Sequence, residues 1–427
     1  MLSPLKRALR SFKMPHGKVI VIAGTTGVGK SLLSIQLASH VNGEIINSDS
    51  MQVYKDAPII TNKHPVEERE GIVHHIMNHV DWDEDYYLHR FEKECLQAIE
   101  DIHARGKTAI IVGGTHYYLQ VLFKKRVEEK LRPLTEDERK FLDSEQPELI
   151  HAELKKHDAV IAQKFHPNDT RRVRRMLEIF YTTGQKPSNI FAAQNNALIY
   201  DTLFFWIYSN PDVLGARLDA RVDTMLKSGG LEEIEHLYKI YQEKSYTPDQ
   251  CQYGIWQVIG FKEFLPWLEN RDKIPYEHGL ERMKIRTRQY AKRQVKWIRK
   301  MLLPDVSEDL YLLDATDLAK WDENVRKRAF EITNSFITGK RSLEPYAPKR
   351  LQSQLKLNPE ETSSPKATGW EQFSCMKCRD KNAKPLILVG QKNWQIHLQS
   401  RRHRTALKNE IKRKNFEKFK NSLNECF

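Results

Sequence analysis

The stretch VIVIAGTTGVGKS, Val19 to Ser31, decides how the chain is read. A β-branched run meets a glycine-bearing loop, and the loop runs into a helical pattern from about Ser31 to His40. The octet Gly24, Thr25, Thr26, Gly27, Val28, Gly29, Lys30, Ser31 satisfies G-x-x-x-x-G-K-[ST] between a strand and a helix, as a phosphate-binding loop requires. Its glycines let backbone N–H groups approach phosphate oxygens, and the helix start adds its dipole. Lys30 supplies a point charge, and the Ser31 hydroxyl is placed to hold Mg²⁺. The loop alone does not separate an NTPase, a kinase and another enzyme that grips phosphates.

Downstream, the strand GEIIN (43–47) ends at SDSMQVY, a helical pattern covers about 87–104, and the strand TAIIV (108–112) runs into Gly113-Gly114. This alternation predicts an α/β fold, a P-loop-type mostly parallel sheet with helices on both faces. A P-loop NTPase carries an Asp at the end of a second strand to hold its Mg²⁺. TAIIV ends in Gly-Gly-Thr instead. The acid is Asp49, at the carboxyl edge of a neighbouring strand, where open α/β sheets bind ligands. It reads either as a base toward an attacking group or as an N-cap.

From 123 to 200 charged, Leu-spaced segments punctuated by prolines replace strands, which predicts a helical insertion. LFFWIY (203–208) returns to the sheet as a buried strand, and helices run to 338. The expected organisation is a basic N-terminal extension (1–17), a catalytic core (18–122 and 201–338), the insertion (123–200), a linker (339–369) and a terminal module (370–427).

The 427 residues are 40% hydrophobic and carry a net charge of +13, so a polyanionic partner is plausible and the placement of the charge matters. No apolar run approaches the ~18 residues of a membrane span, and no membrane partner is expected. Five scattered cysteines are no disulfide framework and predict a reducing compartment. The first 18 residues hold five Lys/Arg and no acid, which fits a mitochondrial presequence or a basic tail. A second start at Met14 would give forms in both cytoplasm and mitochondrion, with the nucleus as a further location.

Taken in order, GTTGVGKS, INSDSMQVY (46–54), ITNKHP (60–65), GGTHYYLQ (113–120), HPNDTRRVRRMLEIFYTTG (166–184), RLDARVDTMLKSGG (217–230) and QVIGFKE (257–263) resemble the tRNA dimethylallyltransferases. The resemblance covers about residues 18–305, and the terminal module is similar to that of the eukaryotic, particularly fungal, members. It implies transfer of a dimethylallyl group from dimethylallyl diphosphate to the N6 amine of the adenine 3′ to the anticodon. The partners are then that diphosphate and a tRNA anticodon stem-loop, and a monomer is expected. On this reading the loop grips a diphosphate leaving group and hydrolyses no nucleotide. Asp49 matches the family's base, Thr26 a contact near the reacting bond, and Arg221 the active-site arginine. Ser50, Met51, Gln52, Thr115 and Gln194 match contacts to the target nucleotide. Prenylation of a free adenylate, and a P-loop kinase or NTPase, are the alternatives.

Two basic clusters suit an RNA backbone. Arg171, Arg172, Val173, Arg174 and Arg175 open a helix that Asn168 or Asp169 can cap. Residues 282–300, beginning Arg282, Met283, Lys284, hold nine Lys/Arg and no acid, with Met283, Tyr290, Trp297 and Met301 at helical spacing. Like charges at i,i+4 destabilise a helix, so phosphate contacts are the expectation. Arg217, one turn before Arg221, reads as a surface ion pair with Asp219 or Asp223.

The module contains Cys375, Cys378, His397 and His403 as C-x₂-C-x₁₈-H-x₅-H, a spacing that suits a structural Zn²⁺ site and resembles matrin-type fingers. Trp394 and the run RRHR beside the histidines suit an RNA backbone. His74, His75 and His79 beside Asp81 read as structural, with His75 and His79 on one helical face.

Overall fold

The computed structural model describes residues 17–124, 132–144, 146–193, 197–248, 250–357, 371–379, 383 and 385–424. Gln194 and the N-terminal extension up to residue 16 lie outside them. The chain forms two compact units, Met1–Lys124 with Asn196–Thr362, and Lys125–Asn195 with Ser363–Phe427.

The first unit is built on six parallel strands. In chain order these are β1 (Lys18–Gly24), β2 (Gly43–Asn47), β3 (His74–His75), β4 (Thr108–Val112), β5 (Asp201–Tyr208) and β6 (Leu310–Asp314), arranged β3-β2-β4-β1-β5-β6. Helix α1 (Lys30–Val41) follows the phosphate loop, and α2 (Leu88–Ala104) lies between β3 and β4. Along β1, Val19 and Val21 enter one core cluster while Ile20 and Ile22 enter another. A strand buried on both faces needs an uninterrupted apolar run, which VIVIA supplies. LFFWIY forms the body of β5, paired with β1 and β6 on its two sides. Its large side chains each stabilise the core by about 1.5–3 kcal/mol. The sheet agrees with the sequence expectation.

A third cluster joins α8 (Pro211–Met225), α9 (Leu231–Glu243), α10 (Phe261–Glu269) and α11 (Tyr276–Trp297) to the loop after β2. Before these, α3 (Glu136–Asp143), α4 (Pro147–His157), α5 (Ala159–Lys164), α6 (Thr170–Thr183) and α7 (Pro187–Ala193) belong to the second unit. α6 starts after Asp169 as expected, but the Asp169 side chain makes no capping bond and lies 3.3 Å from Arg172 instead.

Part of the segment expected to be a linker is packed. After α12 (Arg328–Ile337), the Tyr346 carbonyl accepts from Leu312 N–H of β6 at 2.7 Å, and Ala347 is buried beside Leu351 and Leu355. Polar composition concealed these three apolar anchors.

In the second unit, β7 (Gln372–Arg379) and β8 (Pro385–Val389) pair antiparallel and lead into α13 (Gln391–Leu398) and α14 (Arg401–Asn424). This module packs against the helical insertion. The Gln372 amide donates to the carbonyls of Ala162 and Phe165 at 3.3 and 3.0 Å.

Candidate active site

A cavity of about 790 Å³ opens at the carboxyl edge of the sheet, within the size range of ligand pockets. The phosphate loop, the turns after β2 and β4, and the inward faces of α8 and α11 line it. Gly29 heads α1 at φ +89, a left-handed conformation that glycine adopts without strain, and no side chain caps the first-turn amides. Those amides are therefore available to an anion. Lys30 folds back so that its ammonium donates to the Thr25 carbonyl at 2.7 Å. Burial brings its pKa down to about 8, against the pull of Asp49 and with the push of Arg221. Thr25 Oγ1 is buried with no partner among the described residues.

Asp49 lies across the cavity. Its Oδ1 accepts from Met51 N–H at 3.0 Å, and the Gly114 N–H also faces the carboxylate. Burial outweighs these bonds and the Lys30 charge and holds its pKa above the ordinary value. The ending Gly-Gly of TAIIV now has a steric reason. A Cβ on Gly113 would meet the Ser48 backbone at 2.2 Å, and one on Gly114 would meet Asp49 Oδ2 at 2.7 Å.

The neighbours of Asp49 are held by polar bonds. Thr115 Oγ1 accepts from Ser50 N–H and donates to Ser50 Oγ, both at 3.0 Å. The Gln52 amide donates to the carbonyls of Thr61 and Asn62 at 3.3 and 2.7 Å. Lys63, beneath that loop, donates to the carbonyls of Tyr54 and Asp56 and to Asn78 Oδ1. Glu233 accepts from the N–H groups of Ile59 and Ile60.

Arg221 reaches the cavity from α8 and has no ion-pair partner among the described residues. The acids beside it are occupied, since Asp219 pairs with Arg288 and Asp223 with Lys284. Arg217 departs from its expected surface pairing. Its guanidinium donates to the carbonyls of Gly27, Ala315 and Thr316, which ties α8 to the phosphate loop.

On α11, Met283, Tyr290, Gln294 and Trp297 face the cavity. Met283 is also buried in the third core cluster, and Met301 points outward at 51% exposure. Lys284 is only 14% exposed, 2.8 Å from Asp223, whereas Arg282 is exposed. On α6, Val173 is wholly buried, Arg171 and Arg172 are exposed, Arg174 donates to the Ser144 carbonyl, and Arg175 lies 2.8 Å from Glu178. His75 sits in a strand, 2.7 Å from Glu44, and His79 lies 3.0 Å from Glu94, so the expected helical face does not form.

Sequence reasoning missed Gln294 and His116. His116 Nε2 accepts from Gly24 N–H at 3.2 Å, and burial brings its pKa down to about 3, so the ring is a neutral acceptor. The signal for Gln294 was present: it lies four residues after Tyr290 on the apolar stripe of a basic helix.

The sequence profile of the IPP transferase family matches residues 52–301, more than half of the chain. The chain belongs to the IPP transferase family. A tRNA dimethylallyltransferase of Saccharomyces cerevisiae is 57% identical over 98% of this chain and 97% of its own length. The human tRNA dimethylallyltransferase is 33% identical over 91% of this chain and 86% of its own. A solved structure of a eukaryotic dimethylallyltransferase acting on tRNA, 57% identical, superposes with a TM-score of 0.86 and covers 95% of this chain and all of that one. This member of the IPP transferase family shares that architecture from the sheet to the terminal module.

The module's four predicted ligands converge in the second unit. The donor atoms of Cys375, Cys378, His397 and His403 lie within 4.8 Å of one another, all on buried residues. His403 Nδ1 is 3.4 Å from Cys375 Sγ and 3.7 Å from Cys378 Sγ, and a tetrahedral zinc site separates S and N ligands by about 3.5 Å. His397 Nε2 is buried with no partner among the described residues, as a ligand atom aimed at a cation would be. These residues fit a metal ion. Trp394, expected to face RNA, stacks between Phe373 and His397 and braces the module.

Proposed function

We propose that the chain transfers a dimethylallyl group from dimethylallyl diphosphate to the N6 amine of the adenine 3′ to the anticodon in tRNA. The observation that carries this reading is that Asp49 and the phosphate loop line one cavity together with Arg221, which has no ion-pair partner among the described residues. An adenine amine is a weak nucleophile because its lone pair is delocalised into the ring. As that pair forms the bond to the allylic carbon, the Asp49 carboxylate takes the N–H proton. The allylic C–O bond breaks with its electron pair going to the diphosphate. Loop amides, Lys30 and Arg221 stabilise the charge that develops there, with Thr26 beside the reacting bond. The Ser31 hydroxyl and the diphosphate oxygens are a hard oxygen donor set that suits Mg²⁺, which would neutralise further charge when bound.

The target base must leave its stack to enter the cavity, and Ser50, Met51, Gln52 and Thr115 form the wall it would meet. Arg171, Arg172 and Arg282 are among the exposed members of the two basic clusters and would meet phosphates. Zn²⁺ at Cys375, Cys378, His397 and His403 would fold the terminal module. The N-terminal extension would direct one form to mitochondria; a purely cytosolic reporter fused to residues 1–18 would refute this.

Labelled dimethylallyl diphosphate offered to bulk unmodified tRNA, with ATP and AMP as competing acceptors, tests the reaction. Label in tRNA alone is expected. Label in the nucleotide would reassign the chain to free-adenylate prenylation, and ATP consumption without a prenyl donor would make it an NTPase.

A further inference from the structure

We propose that Gln294 is the positioning residue that holds the two sides of the reaction centre at a fixed separation. Gln294 is 4% exposed, and its amide spans the gap between the loop that grips the leaving group and the turn after β4, whose Gly114 packs on Asp49. Oε1 accepts from Thr26 N–H at 2.8 Å, and Nε2 donates to the Gly114 carbonyl at 2.9 Å. The orientation of the amide is fixed by chemistry, because a backbone N–H only donates and a carbonyl only accepts. One turn earlier, the Tyr290 hydroxyl donates to the same Gly114 carbonyl at 3.1 Å. The Gly114 N–H, on the other side of that residue, faces the Asp49 carboxylate.

A single side chain thus connects Thr26 to the residue whose N–H faces Asp49. The convergence is tight: a Cβ on Gly114 would lie 2.7 Å from Asp49 Oδ2 and 2.9 Å from Gln294 Nε2. Few side chains meet these demands. Asparagine is one methylene too short, methionine has no N–H donor or carbonyl acceptor, and ionised glutamate lacks the donor for Gly114. The bond to Thr26 has a second consequence. With its N–H committed to Gln294, Thr26 meets the diphosphate through its hydroxyl. Displacing reacting groups by about 1 Å costs on the order of a hundredfold in rate, so the separation that Gln294 sets controls turnover.

The inference rests on the reading that Asp49 and Thr26 flank the reacting atoms, and the experiment separates the two. Gln294→Met removes both bonds at similar volume and is expected to lower kcat about 10- to 100-fold, with both KM values changed less than about threefold. Gln294→Glu supplies a readout that packing would not move. Ionised, it repels the Gly114 carbonyl; protonated, it again offers one acceptor and one donor. Burial raises a carboxyl pKa, so the kcat of Gln294→Glu relative to wild type is expected to climb between about pH 9 and pH 6. The ratio for Gln294→Met is expected to stay flat. A methionine variant within twofold of wild-type kcat, or a flat glutamate ratio, would overturn the proposal. Where Gln294→Met does not fold, the glutamate ratio decides. Asp49→Ala in the same assay isolates the underlying reading: wild-type turnover there would mean that the site assignment itself has failed.

Discussion

The guanidinium of Arg217 donates to the carbonyl of Gly27 at 3.3 Å and to that of Thr316 at 3.0 Å. A cation expected on the surface therefore braces the phosphate loop through backbone carbonyls. Hydrogen bonds to charged groups contribute about 1.5–3 kcal/mol each. Arg217→Ala is expected to raise the KM for the prenyl diphosphate about tenfold or more while tRNA affinity changes less than about twofold. Steady-state kinetics with each substrate varied in turn will check it.

With the proposed roles of Asp49 as base and Lys30 as a diphosphate ligand, the pH dependence is expected to have two limbs. Asp49, pushed above the ordinary carboxylate value by burial, must lose its proton to act, so kcat/KM for the donor rises with pH through that raised pKa. Lys30, brought down to about 8, must keep its proton to meet the diphosphate, so kcat/KM falls again above about 8. A bound diphosphate raises the Lys30 pKa, because the opposite charge favours the ammonium. The alkaline limb of kcat is therefore expected at higher pH than that of kcat/KM. An alkaline limb at the same pH in both profiles would contradict the assignment to Lys30.

Much of this site is legible in the sequence because it is local. The phosphate loop follows from eight contiguous residues, and Asp49 from its place at a strand end. The sheet follows from short uninterrupted apolar runs that alternate with helical segments. What was hidden depends on contacts between distant segments. Nothing local to Arg217 points to Gly27, and nothing local to Lys284 shows that Asp223 faces it across two helices. Ala347, Leu351 and Leu355 anchor a polar segment through apolar contacts that composition averages away. His75 pairs with Glu44 because β3 lies beside β2, which a helical reading of HHIMNH cannot anticipate.

The basic run on α11 divides into structural and exposed cations. Lys284→Ala breaks the pair with Asp223 and is expected to lower the melting temperature while leaving the salt slope of tRNA binding unchanged. Arg293 is exposed at the cavity and has no ion-pair partner among the described residues. Arg293→Ala is expected to reduce that slope by about one. Filter binding over a salt series will distinguish the two variants.

Metal removal acts on the second unit. Structural zinc sites supply folding free energy outright, so a strong chelator or Cys375→Ser is expected to unfold the terminal module. Proteolysis between residues 371 and 412 should then accelerate, and the KM for tRNA should rise about tenfold with kcat at saturating tRNA nearly unchanged. Equal resistance to protease with and without chelator would refute a structural metal at the four ligands.

The central claim is that Asp49 removes the proton from the attacking amine. Its most direct test is the single-turnover rate of prenyl transfer in Asp49→Ala, measured beside equilibrium tRNA binding. The account predicts a rate lower by about 10²–10⁴ with tRNA affinity within about threefold of wild type. A rate near wild type, or a loss of binding that matches the loss of rate, would contradict it.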